Sequence, residues 1–182
     1  MNSISEFIEK KLKLKVNREK SAVDRPWKRK FLGFSFTYHY EPKVRIANES
    51  IKRLKAKVRL LTSRSKPIPM EVRIKKLNQY LVGWCSYFSL ADTPSKFKEF
   101  DKWIRRRLRM IVWKEWKNSK TRVRKLKGLG AMPSKAYEWG NSRKKYWRIS
   151  SSPILHKTLG NSYWISQGLK SLYARYQSLR QL

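Results

Sequence analysis

A mainly α-helical fold, opened by a short β-hairpin, is what this sequence predicts, on three observations. Between residues 48 and 111 apolar side chains recur three and four apart in successive runs, the signature of helices buried along one stripe. Pro67, Pro69 and Thr93-Pro94 separate those runs, where proline stops one helix or opens the next. Two short segments before residue 41 read instead as strands. The expected architecture is therefore an N-terminal hairpin (1–45), a three-helix bundle (46–120), and a linker with a small helical C-terminal subdomain (121–182).

Taken in order, residues 3–10 place Ile4, Phe7 and Ile8 on one side of a helix. Leu12 to Val16, "LKLKV", alternates as a half-buried strand does, and Phe31 to Tyr40 reads as a second strand with Gly33 at a bulge or close approach. One helix and two strands do not close a sheet, so a structural complement upstream is expected. Asn48 is the expected N-cap of a helix carrying Ile51, Leu54, Val58 and Leu61. Met70, Ile74, Leu77, Leu81, Trp84 and Phe88 stripe the next, whose second half, "LNQYLVGWCSYF", has no charge at all. Gly83 within it predicts close helix approach, because glycine costs about 1 kcal/mol of propensity against alanine. Phe97, Phe100, Ile104, Leu108 and Ile111 stripe the third helix. Thr121 to Pro133, basic and glycine-punctuated, reads as a linker; the remainder reads as short helices broken at Gly140, Pro153, Gly160 and Gly168.

Charge sets the functional class. The chain has 182 residues, with 45 Lys and Arg against 12 Asp and Glu, a formal net charge of +33. Such a balance repels itself and calls for a polyanionic partner. Its hydrophobic share of 40% excludes a disordered basic tail. No apolar run is long enough to span a bilayer. The single cysteine, Cys85, rules out an internal disulfide, reads as a small buried side chain and suits a reducing, cytoplasmic setting. With one cysteine and two distant histidines, no metal site is expected.

Candidate ligand contacts follow from the cations. Opposite the third stripe lie Lys98, Lys102, Arg105, Arg106 and Arg109, and the first helix carries Lys52, Lys55 and Arg59 on its outer face. Cations at helical spacing can track a phosphate backbone; the plainer alternative is a solvated bundle surface. In the C-terminal part Arg143, Lys144, Lys145 and Arg148 surround Trp147. Three aromatic pairs recur there (Tyr137 and Trp139, Tyr146 and Trp147, Tyr163 and Trp164), with one member of each expected in the core and the other able to stack on a base. Catalysis finds no support: Glu99 and Asp101, two apart on a helix, diverge. No catalytic residue is assigned, and the chain reads as a binding module.

Beyond composition, specific blocks carry a family likeness. "LKLKVNREKSAV" and "FLGFSF" resemble the last two sequence blocks of group II intron reverse transcriptases. "IKRLKAKVRLLT", "LNQYLVGWCSYF" and "FDKWIRRRLRMIVWKEW" resemble that family's thumb, the maturase-specific domain; Leu-x₅-Gly-Trp-x₂-Tyr-Phe from Leu77 to Phe88 is the most specific part. "SRKKYWRISSSPILHKTLGNSYWISQGLKSLYARY" is similar to the C-terminal DNA-binding region of bacterial members. The resemblance makes residues 1–45 a palm remnant and places Lys20, Phe31, Leu32 and Gly33 near a template-primer. It matches Gly83, Trp84 and Tyr87 to the thumb's signature helix. It implies a group II intron RNA as partner, with target DNA as a further one, and a role in RNA splicing within a mobile element. The family's Tyr-x-Asp-Asp turn, which holds Mg²⁺, has no counterpart in the sequence. The expectation is a truncated maturase needing no cofactor of its own, or the C-terminal part of a split RNA-directed DNA polymerase completed by a separately encoded palm.

Overall fold

The computed structural model describes residues 2–17, 19 and 21–181. It is mainly helical, with ten α-helices and one two-stranded sheet among those residues. Helix α1 (Asn2–Lys10) leads into an irregular segment and a single 3₁₀ turn at Pro26–Lys28, before strands β1 (Phe34–Phe36) and β2 (Val44–Ile46). These pair antiparallel, Phe34 opposite Ile46 and Phe36 opposite Val44.

Two strand readings need correction. Leu12–Val16 is not a strand: the amides of Lys11 and Leu14 bond back to Phe7 and Ile8 of α1, and Lys13 turns to a φ of 52°. Leu12 and Leu14 stay exposed, since alternation without a pairing edge produces no strand. The run from Phe31 to Tyr40 keeps strand geometry only over β1, and its partner β2, Val-Arg-Ile, is too short for its alternation to announce it.

The hairpin is sewn onto the helices by Gly33. Its φ of 83° lies in the left-handed region, and its carbonyl accepts from the Ala47 amide at 2.9 Å and the Ser50 hydroxyl at 3.0 Å. A β-carbon there would stand 2.9 Å from Ser50 Oγ and 3.3 Å from the Phe88 ring, so the position takes only glycine. Ser50 thereby anchors the entry to helix α2 (Asn48–Leu61). Asn48 is not its N-cap, as expected, but its first residue; Ala47 holds the cap position without a side-chain acceptor.

Helices α2, α3 (Met70–Phe88) and α4 (Pro94–Glu115) form the bundle, with Leu54, Val58, Leu77, Leu81, Phe97, Ile104 and Leu108 almost fully buried between them. Trp84 is half-buried and rests on Phe88, Phe97 and Phe100, with ring centroids 4.6, 5.9 and 5.7 Å away. Gly83 does not serve close packing: a β-carbon there would have nothing within 4 Å. Arg73 is only 1% exposed and its guanidinium donates to the carbonyls of Leu61, Ser63, Lys66 and Ile68, tying down the connection from α2 to α3. A buried cation tolerates that site because carbonyls surround it.

The segment expected as a linker is helix α5 (Ser119–Gly128), capped by the Asn118 side chain and packed through Val123 and Leu126 against α6 (Pro133–Gly140). A strongly basic composition hid a two-residue apolar seam, which α6 completes. Short helices α7 (Tyr146–Ile149), α8 (Pro153–Thr158) and α9 (Asn161–Ser166) precede α10 (Leu172–Arg180). These do not stand apart: one continuous core runs from Ile46 through the bundle to Trp164 and Tyr176. Tyr176 stacks on Phe97 at 4.4 Å and donates to the Ala91 carbonyl. Cys85 is buried, its thiol donating to the Leu172 carbonyl and pushed up to about 11 mainly by burial.

Candidate nucleic-acid interface

Helix α4 sorts its charged residues by which neighbour each meets. Glu99, Trp103 and Arg107, four apart, face α2. There Lys55 lies 4.0 Å from Glu99, and the guanidinium groups of Arg59 and Arg107 stand over the Trp103 ring at 5.9 and 5.6 Å. Arg107 also donates to the Thr62 hydroxyl and carbonyl, closing the end of α2. Lys52 and Arg59 are exposed, Lys55 is half-buried, and Lys102 projects from α4 into solvent. Together they make a cationic face held on rigid helices.

The predicted ridge does not lie on that face as a unit. Lys98 is exposed but has its ammonium 4.4 Å from the Tyr173 ring of α10. Arg105 and Arg106 are half-buried. Arg109 is only 4% exposed; its Nε donates to the Ser150 carbonyl at 2.8 Å, and Nη2 lies 3.2 Å from His156 Nε2. Burial first, then the neighbouring charges of Arg105 and Arg106, pull its guanidinium down to about 10. Arg109 is therefore a docking residue under α7 and α8, not an open phosphate contact. A signal for this existed in the sequence: Leu108 to Trp113 is apolar on every side except at Arg109, which marks a helix segment covered all round.

Asp101 is the residue that reading the sequence missed. It is buried, and its carboxylate accepts from the Ser171 hydroxyl at 2.6 Å and from the amides of Leu172 and Tyr173 at 2.9 and 3.1 Å. It thus caps α10 from another helix, where the negative charge meets the positive end of the helix dipole. Glu99 is exposed and engaged with Lys96. The two carboxylates diverge, and among the described residues no group of His, Cys, Asp and Glu could hold a metal ion.

In the C-terminal helices Arg143, Lys144, Lys145 and Arg148 are all exposed. Lys144 stands 4.6 Å from the Trp139 ring and Lys127 4.3 Å from Tyr137. Trp147 is 39% exposed, with the Arg106 guanidinium stacked 4.0 Å from its centroid. Of the aromatic pairs, Trp164 is fully in the core, Tyr146 and Trp139 are half-buried, and Tyr137 and Trp147 reach solvent. At the other end Phe31 and Leu32 are exposed, and Leu32 and Gly33 line a groove with Arg53, Tyr80, Trp84 and Tyr87. Tyr87 donates to the Leu32 carbonyl at 2.8 Å, fixing that turn against α3. Lys20 lies outside the described residues.

Residues 51–130 match the group II intron maturase-specific domain. That span runs from the first turn of α2 through the bundle and α5 to the turn that follows it. A comparison with curated proteins found no match to the chain. Among the described residues no helix is long and apolar enough to cross a membrane.

Proposed function

We propose that this chain, which carries a group II intron maturase-specific domain from α2 through α5, binds structured intron RNA and assists its splicing through the cationic face of α2 and α4. The observation that carries this reading is the mismatch between cations and carboxylates on a rigid surface. Lys52, Arg59 and Lys102 are exposed and have no ion-pair partner among the described residues. Arg143, Lys144, Lys145 and Arg148, with the accessible edge of Trp147, extend the same chemistry to the C-terminal helices. Phosphate contacts by such residues release counterions, so affinity falls steeply with salt. Target DNA offers the same phosphates and is a competing ligand in this proposal.

The test is a salt titration of binding to a group II intron RNA, with self-splicing rates measured alongside. Replacing Lys52, Arg59 and Lys102 by glutamine should weaken binding several-fold each and reduce the salt slope by about one per residue. Salt-indifferent binding by the native chain, or an unaltered triple variant, would refute it. A second reading, that a separately encoded palm completes a polymerase, draws on the exposed Ile4, Phe7, Phe31 and Leu32 near the N-terminus. Primer extension that appears only when a palm-containing polypeptide is added would favour it.

A further inference from the structure

Arg109 lies four residues after Arg105 and three after Arg106 on α4, so it neighbours both, and His156 of α8 meets them across the seam. Ser150 gathers two of them: its carbonyl takes Arg109 Nε at 2.8 Å and its hydroxyl lies 3.4 Å from Arg106 Nε. Arg106 also donates to the Trp147 carbonyl at 3.1 Å, with its guanidinium 4.0 Å from the indole centroid. His156 Nε2 stands 3.2 Å from Arg109. Burial and these three arginines together hold the imidazole below its ordinary value, so it is neutral near pH 7 and adds no charge of its own.

Like charges gathered this closely need an anion. Among the described residues no carboxylate lies within ion-pair distance of any of these four side chains. The one acid whose field reaches Arg105 is Asp101, and both its oxygens are already engaged with α10. Arg105 itself is half-buried, yet its guanidinium donates to nothing among the described residues. A partly desolvated guanidinium with all its donors free, beside two further arginines and a histidine, matches a tetrahedral oxyanion, whose oxygens accept the bidentate fork. The neighbourhood is open: His156 and Trp147 are exposed, and so are Lys102, one turn before Arg105, and Arg148.

We infer that the seam between α4 and the α7–α8 turn is a phosphate-binding site, built on Arg105 with Arg106 and His156 over the buried charge of Arg109, whose occupation locks the C-terminal helices onto the bundle. A phosphodiester of bound RNA is the occupant that the proposed function supplies, and to that extent the inference rests on it; free phosphate carries the same chemistry. Filling the site removes the repulsion among three arginines that otherwise opposes docking of α7 and α8. Ligand binding and C-terminal order are therefore coupled.

The direct test uses inorganic phosphate and needs no RNA. Thermal unfolding of the full chain is followed in sodium phosphate and in sodium chloride of matched ionic strength, for the native protein, Arg105→Gln and Lys75→Gln. Lys75, exposed on α3, controls for diffuse screening. Arg105→Gln removes no hydrogen bond of the fold, unlike a change at Arg109. Phosphate should raise the midpoint of the native protein and of Lys75→Gln by several degrees and that of Arg105→Gln by much less. Equal increments in all three, or none in the native protein, would overturn the site. The second arm follows hydrogen exchange of residues 146–158 with intron RNA added: protection should rise in the native chain and not in Arg105→Gln. Protection by phosphate but not by RNA would assign the site to free phosphate and reject the RNA backbone as occupant. Failure of RNA to bind at all would strike the proposed function while leaving the phosphate result intact.

Discussion

Removing the Asp101 carboxylate should detach α10 from the bundle, and the cost can be worked from three contacts. The side chain is buried and accepts from the Leu172 and Tyr173 amides at 2.9 and 3.1 Å and from the Ser171 hydroxyl at 2.6 Å. Hydrogen bonds to a charged group contribute about 1.5–3 kcal/mol each, and an amide left buried without an acceptor costs about 1–3 kcal/mol. The three share one carboxylate and do not add fully. Asp101→Ala should therefore destabilise by about 3–5 kcal/mol, a large part of the roughly 5–15 kcal/mol that stabilises an ordinary domain. Asp101→Asn keeps one acceptor oxygen but loses the charge that faces the end of α10, and should lose about 2 kcal/mol. Urea unfolding of the full chain measures both, and hydrogen exchange at Leu172 and Tyr173 localises the effect. An Asp101→Ala protein within about 1 kcal/mol of the native one, with those two amides equally protected, would refute the assignment of Asp101 as the cap of α10.

Four further outcomes follow from the same structure. Trp84→Ala should cost about 3 kcal/mol by urea unfolding, the low end for an aromatic truncation, because the ring is half-buried but touches Phe88, Phe97 and Phe100. Gly83→Ala should stabilise by about 1 kcal/mol, since the new methyl meets open space in a helix interior. Gly140→Ala should do the reverse in the same assay, by about 1–3 kcal/mol, because its β-carbon would lie 2.5 Å from Val123 Cγ2 and 3.3 Å from the Val123 amide. Acid should loosen the seam at His156. Burial, with Arg109, Arg106 and Arg105, holds its folded pKa below the ordinary 6.5, so stability is full above that value and falls as pH drops through it. Unfolding midpoints at about pH 8 and pH 5.5 should differ for the native chain and differ less for His156→Gln. Glu115, raised by burial, acts with the opposite sign nearer its ordinary 4.5 and leaves the upper part of this window to the histidine.

Much of the bundle was legible because its physics is periodic. Ile74, Leu77, Leu81 and Phe88 recur at helical spacing, and a stripe of that width has to be covered wherever it lies. Cys85, uncharged and small within that stripe, had one sensible place and is there. The hairpin was half legible: Gly33 marked the special backbone, but Val44–Ile46 is too short and too mixed to announce a strand before its partner is known. Helix α5 was hidden by its lysines, because Val123 and Leu126 alone do not outweigh them until α6 supplies the other side of the seam. On α4 the arginine spacing alone could not separate a solvent face from a docking face, because it serves both equally well.

Unaided, the string of residues determined the apolar stripes that assemble the bundle and, through a charge of +33, raised the expectation of a polyanionic partner, because both depend on composition and local period. Which cations remain free for that partner was decided only by tertiary structure. Lys102 stays in water while Arg109 lies under Ser150 and His156, and Asp101 is drawn inside to hold α10. The difference lies in what packs against each side chain, and for α4 the covering helices arrive more than thirty residues later in the chain.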